Sequence, residues 1–303
     1  MRIEKAPKVS VCVITYNHEK YIRQCLQSIV DQETNFGFEV IVGEDSSTDG
    51  TRAIVQEFTN KYPSVMKPIF HEVNVGGMQN YYDVHKTARG EYIAHIDGDD
   101  YALPGKLQIQ ADTLDKNQHL NIIWHRMEFS NEKGIHKPHP CASAPFINNN
   151  ISREDLFLYG PFGQHSSTMY RRKNMFVQKN SSDIIDWQLS IEIIGNGNGI
   201  MLQEVLGGYR VHSHGVSTGA TANQNTRTLL CNTQIHLMER FPEYKSTIAL
   251  RALFVAIMDF IKLKGYFNKS LGVFIKSRRL PNITKARKLI QFYRYSKLPP
   301  EFK

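Results

Sequence analysis

Residues 91–100 read EYIAHIDGDD. Glu91–Ile96 is a short apolar run suited to a buried strand, and it breaks abruptly into Asp97, Gly98, Asp99 and Asp100. Two runs upstream have the same character. Val9–Thr15 (VSVCVIT) is short, rich in β-branched residues and flanked by polar turns. Phe38–Val42 runs into a second acidic turn, EDSSTDGT, which opens with Glu44 and Asp45. Between the runs the apolar period becomes helical, as in Tyr21, Ile22, Leu26, Ile29 and Val30 of residues 19–31. Helices are also expected over 52–61, 80–88 and 106–116, and strands over 65–70 and 121–129. Thr48 is the expected N-cap of the second helix. Strands alternating with helices imply βαβ units and a mostly parallel, Rossmann-like α/β sheet flanked by helices. In such sheets ligands bind at the carboxyl ends of the strands, where both acidic turns fall.

Farther along, the pattern loosens. Residues 130–150 are polar and rich in Pro and Asn, and read as a loop. Residues 151–218 mix a short helix, a strand near 166–170, a helix over 184–194 and a strand over 200–211. From about residue 222 the pattern is helical. Phe254, Ile257, Met258 and Ile261 form one apolar stripe, and Leu289, Ile290, Phe292 and Tyr293 sit among lysines and arginines.

The chain has 303 residues, 41% of them hydrophobic, enough for one large domain with an appendage. Its net charge of +8 is unevenly placed: residues 251–303 hold thirteen Lys/Arg against two Asp/Glu. A near-neutral body with a basic tail suggests an anionic partner for the tail. Cys12, Cys25, Cys141 and Cys231 have no metal spacing and read as buried thiols in a reducing compartment. The N-terminus has no apolar signal core. No stretch reaches the roughly 18 apolar residues that span a bilayer; Ala249–Ile261 is short and contains Arg251 and Asp259. A cytoplasmic protein, soluble or peripheral on the inner face of the membrane, is the expectation.

Three carboxylates in DGDD repel one another unless a cation compensates. Hard divalent cations such as Mg²⁺ or Mn²⁺ take oxygen ligands and share sites with phosphates. A solvated Asp/Gly turn is the competing reading of that motif alone.

The order and spacing of VSVCVITYNHEKYIRQCLQSIVDQ, FEVIVGEDSSTDGT and EYIAHIDGDD resemble the family 2 glycosyltransferases, whose nucleotide-binding fold is called GT-A. The resemblance is clear over residues 8–115, patchier to 218, and fades beyond. It implies a catalytic domain over 1–220, with a nucleotide-sugar half to about 115 and an acceptor half after it, followed by a helical basic region over 221–303. It also implies transfer of a single sugar, with inversion, from a nucleoside-diphosphate sugar (UDP favoured) to a glycan or lipid-linked glycan. Bacterial O-antigen, capsule or lipopolysaccharide synthesis is the implied setting, with Mn²⁺ or Mg²⁺ as cofactor and no nucleic-acid partner.

Residue by residue, the resemblance puts Thr15, Tyr16 and Asn17 in the nucleotide pocket, with Glu44 and Gly98 beside it. Asp45 reads the base, Asp97 contacts ribose and Asp99 binds the metal. Asp100 helps or only shapes the turn. Asp186 matches the catalytic base, with Asp183 as rival; a helix-start carboxylate is the bland alternative. Arg210 and His212 serve the diphosphate, and His212 also the metal, since strand alternation sets Arg210, His212 and His214 on one face. His165, Trp187 and His214 are acceptor-side candidates. The chain departs from many relatives in having Ala102 after Tyr101, and it lacks a QxxRW-type motif. A sugar nucleotidyltransferase would need a Gly-rich loop that TYNHEK does not supply. A non-catalytic sugar-nucleotide or glycan-binding module is the other alternative.

Overall fold

The computed structural model describes residues 6–131, 136–138, 149–175, 186–212, 220–261, 267–280 and 282–295; side chains at 131, 136–138, 220–226 and 293–295 lie outside the description. The first half builds as the period predicts. Strands β1 (Val9–Thr15), β2 (Phe38–Glu44), β3 (Met66–Phe70) and β4 (Tyr92–Asp97) alternate with helices α1 (Ile22–Val30), α2 (Thr51–Lys61) and α3 (Gly77–Thr87). β1 and β2 are buried on both faces, which is why they read as continuous apolar runs rather than alternating ones. Cys12 and Cys25 are buried thiols in β1 and α1.

After β5 (Tyr101–Ala102) and α4 (Lys106–Lys116) come β6 (Leu120–Asn131), β7 (His136–Pro138), α5 (Arg153–Tyr159), β8 (Met169–Arg171), α6 (Asp186–Ile194) and β9 (Asn198–Val211). The sheet order is β3-β2-β1-β4-β8-β6-β9-β5, with β7 on β6. The β3-β2-β1-β4 half is parallel, as is the β6–β9 pair, whereas β8 runs antiparallel to both its neighbours. Two details differ from the sequence reading. The expected loop over 130–150 contains β7, which pairs antiparallel with β6. The expected strand near 166–170 starts only at Met169, because residues 165–167 form a 3-10 turn.

The parallel half positions the site. β1 lies between β2 and β4, so the chain direction out of β1 reverses there. In register, Thr15 faces Glu44 across one ladder and Ile14 faces Asp97 across the other. The ends of three strands therefore open on one crevice, at the topological switch point.

The C-terminal helices α7 (Ala220–Arg240), α8 (Lys245–Ile261), α9 (Phe267–Ser277) and α10 (Ile283–Tyr295) pack onto the body. One hydrophobic cluster runs from Trp124 of β6 through Phe157 and Trp187 to Ile248 of α8 and to Leu289 and Phe292 of α10. α8 turns Ala249, Ala252 and Ala256 inward, so close helix packing uses the small residues. Ile257 and Ile261 of the expected stripe are instead exposed. No described helix is long and apolar enough to cross a membrane.

Candidate active site

The loop after β1 and the loop after β2 hold each other. Asn17 adopts a left-handed backbone (φ 55°), and its side-chain oxygen accepts from the Thr48 N–H at 2.8 Å. Its own N–H donates to Ser47 Oγ at 3.0 Å. Glu44 is fully buried; it accepts from the Ser47 N–H at 2.7 Å and pairs with Arg52. Glu44 and Asn17 thus shape this loop, and both oxygens of Glu44 are already engaged. Thr48 is not the cap of α2: that position is Gly50, and Asp49 accepts from the Thr51 N–H at 3.0 Å. Asp45 is buried, and its carboxylate accepts from the N–H groups of Val75 (2.7 Å) and Gly76 (3.0 Å), so it clasps the loop before α3. Thr15 lies beside His18 at 3.3 Å (Oγ1 to Nδ1), and Tyr16 is exposed at the crevice mouth. Gly98 is required by close approach, since a Cβ there would sit 2.7 Å from Thr15 Oγ1.

The DGDD turn is divided in its surroundings. Asp97 Oδ1 lies 3.0 Å from His95 Nε2. Burial works against the charge of Asp97, but His95, then His165 and His18, hold its carboxyl well below the usual range. Asp100 is deeply buried. Burial first, then Asp99 and Asp97, push its carboxyl well above the usual range, while it accepts from the Arg210 N–H at 3.0 Å. Asp99, between them, keeps its side chain 20% exposed, and its Oδ2 lies 3.0 Å from His212 Nε2. Arg210 donates to the Asp99 carbonyl and to Gln24, with its guanidinium 5.2 Å from the Tyr21 ring centre and 4.8 Å from that of Tyr101. His212 rests on Tyr21 at 4.8 Å between centroids. Arg210 and His212 therefore meet the acidic turn together, as the strand alternation predicts; His214 lies outside the described residues.

Ser166 ties these groups to one another. Its hydroxyl accepts from the Asp97 N–H at 2.9 Å and lies 2.5 Å from Asp100 Oδ2 and 3.3 Å from Asp97 Oδ2. Its carbonyl accepts from Lys106 Nζ at 2.9 Å, and that ammonium also sits 2.7 Å from His125 Nε2. Burial pushes the Lys106 amine down to about 7, against the pull of Asp100. His165 stacks on His95 at 3.7 Å, beside Asp97, and burial brings its imidazole to about 3. His95, Asp97 and His165 gather ligand atoms within 4.8 Å of one another.

Asp186 opens α6 and accepts from the Trp187 N–H at 2.7 Å. Its side chain reaches solvent from among dense protein surroundings. That desolvation raises its carboxyl, the Trp187 N–H opposes the rise, and the charge of Asp97 adds to it. Trp187 does not face an acceptor: it is 1% exposed, and its indole donates to the Leu156 carbonyl at 2.8 Å. It belongs to the core under α8, where the Arg251 guanidinium covers its ring at 5.2 Å. Asp183 lies outside the described residues.

His95, Ser166, Lys106, His18 and Tyr21 were not singled out by sequence reasoning. His95 had a signal: it stands two residues before Asp97 on a strand, hence on the same face. Ser166 had none, for it reaches the turn from an element distant in sequence, and Lys106 reads as an ordinary first-turn lysine of α4.

A sequence profile described as "Glycosyl transferase family 2" matches residues 10–176. The chain belongs to this family. An uncharacterised protein of Mycobacterium tuberculosis is 34% identical over 210 residues, 69% of this chain and 60% of its own length. The chain thus spans about 60% of the length of that relative. Among solved structures, Staphylococcus aureus TarS 1-349 in complex with UDP-GlcNAc has a TM-score of 0.68 at 20% identity, covering 95% of this chain and 88% of that one. A mannosyltransferase from Pyrobaculum calidifontis in complex with GDP-Man and Mn²⁺ has a TM-score of 0.60 at 14% identity, covering 99% and 83%. At these identities the likeness shows the fold, which is the GT-A fold of glycosyltransferases.

Proposed function

We propose that the protein is an inverting glycosyltransferase that moves one sugar from a nucleoside-diphosphate sugar, UDP-linked in preference to GDP- or dTDP-linked, onto an acceptor hydroxyl. The observation that carries the reading is the acidic turn itself. Asp97 ends β4 at the switch point, facing Ile14 of β1, whose next residue Thr15 faces Glu44 of β2; Asp99 follows two residues on, and the charge of Asp97 is felt at Asp186. The UDP preference draws on the S. aureus neighbour.

Asp97, kept ionised by His95, would accept the ribose hydroxyls. Asp45 would read the base with the lone pairs left after Val75 and Gly76. Arg210 would meet the diphosphate by exchanging its present bonds to Asp99 and Gln24, a match of guanidinium to phosphate. A divalent cation fits Asp99 and His212, since a carboxylate oxygen and an imidazole nitrogen meet there at 3.0 Å on a partly exposed acid of the turn. When bound, Mn²⁺ or Mg²⁺ would offset the charge of the departing diphosphate. Asp186 would take the acceptor proton as the acceptor oxygen bonds to the anomeric carbon. The carbon–diphosphate bond breaks on the opposite face, and its electron pair leaves with the diphosphate. The acceptor is a glycan or lipid-linked glycan of a bacterial surface polysaccharide, such as O-antigen, capsule or lipopolysaccharide. It is met on the cytoplasmic side of the membrane, to which the basic region 251–303 would bring the enzyme.

Thermal shift with UDP-, GDP- and dTDP-sugars, with Mn²⁺ or EDTA, tests the reading on wild type and Asp99→Asn. A donor at a hundred times its Kd adds about 2.7 kcal/mol. Stabilisation by one nucleotide class, dependent on metal and lost in Asp99→Asn, is the expected result. No shift with any nucleotide sinks it.

A further inference from the structure

Nine large apolar side chains are exposed among the described residues, and seven of them lie between Ile257 and Ile290. An isolated exposed leucine is ordinary on a protein surface. A concentration of them beside cations is not, and among the described residues exposed apolar and cationic side chains alternate most closely at the end of α9 and the turn into α10. There Ile275, Leu280 and Ile283 are 63%, 89% and 73% exposed. Lys276, Arg278 and Arg279 are interspersed with them, all exposed. Arg278 takes a left-handed backbone (φ 51°), so the chain turns sharply out of α9 and presents its side chains outward. This turn is anchored from behind. Val273 and Ser277 of α9 and Leu289 and Phe292 of α10 are buried, and Lys285 pairs with Glu154 of α5. The apolar tip is therefore held on a rigid base.

We propose that the α9–α10 turn docks on an anionic lipid surface. Ile275, Leu280 and Ile283 enter the boundary between headgroups and acyl chains, and Lys276, Arg278 and Arg279 meet the headgroup phosphates. Two kinds of side chain need two kinds of partner, and a bilayer surface offers both in layers. A second copy of this face would bring Lys276, Arg278 and Arg279 against their counterparts and repel. Nucleic acid would use the cations but leave the aliphatic groups in water. The inference deepens the proposed reading in which the acceptor is presented at a membrane. Docking needs neither donor nor acceptor, so a failed vesicle assay leaves sugar transfer standing, and failed transfer leaves docking standing.

The test is sedimentation of the full chain with phosphatidylcholine vesicles and with vesicles that also contain phosphatidylglycerol, at low and high salt. Two double variants go beside wild type: Leu280→Ser with Ile283→Ser, and Arg278→Gln with Arg279→Gln. Because all four side chains are exposed, the thermal melts should match wild type. Wild type is expected to partition onto the anionic vesicles only and to be released by salt. Removing the two arginines should weaken partition about thirtyfold, and the serine pair should weaken it by about tenfold or more. Equal binding to neutral vesicles, no binding to anionic ones, or variants that bind like wild type would overturn the proposal. So would tighter retention on duplex DNA than on vesicles, or a wild-type dimer that the serine pair converts to monomer.

Discussion

Asp186 ionises against its surroundings, and that sets two expectations. Its carboxyl is raised, mainly by desolvation, so the acid limb of the kcat/KM pH profile should lie above the ordinary carboxylate range. Asp186→Asn should lower transfer by about 10²–10⁴-fold while leaving the nucleotide-induced thermal shift intact. The raised pKa also means that, between the unfolded and folded values, the fold holds more protons than the unfolded chain. Stability is then lost as pH rises through that window, a loss that the solvent-facing side of the carboxylate keeps small. Lys106 carries the opposite sign. Its amine is pushed down to about 7, so at higher pH the unfolded chain binds the extra proton and the fold gains stability. Wild type should gain about 2 kcal/mol between pH 7 and 9, a gain that Lys106→Met should flatten in denaturant titrations at the two pH values.

The β5–β9 pair decides how Arg210 is aimed. Gly208 lies opposite Tyr101, and a Cβ on it would fall 1.9 Å from Tyr101 Cζ. Tyr101 holds Glu128 through its hydroxyl at 2.6 Å and lies under the Arg210 guanidinium. Gly208→Ala should displace that ring, cost about 1–3 kcal/mol in chemical denaturation, and raise KM for the donor more than it lowers kcat. A melt and donor KM equal to wild type would show that the strand pair tolerates the methyl.

Over the whole molecule, the C-terminal helices complete the core. Phe157 meets Tyr244 at 4.9 Å, Tyr159 meets Phe292 at 4.7 Å, and the Arg251 guanidinium covers Trp187 at 5.2 Å. Ending the chain after Phe241 would uncover all three aromatic rings beside the helix that carries Asp186. Such a chain should be insoluble or bind a hydrophobic dye strongly, and a soluble, active truncation would show that the body folds alone.

Local pattern determined much of this protein. Short continuous apolar runs and period-3.6 apolar spacing set the β1–α1–β2–α2–β3–α3–β4 succession, and strand ends followed by acidic turns marked the crevice. The pairing of Arg210 with His212 was equally legible, because alternation along one strand is a local property. Tertiary structure decided the rest. Whether a carboxylate in DGDD stays open depends on what packs over it: Asp100 is covered by Ser166 and Arg210, while Asp99 is left with His212 at the cleft. Glu44 and Trp187 read as site residues by position in the chain. They became a loop brace and a core residue because Arg52 and α8 close on them, and the burial of a side chain is a sum over neighbours that no local period encodes.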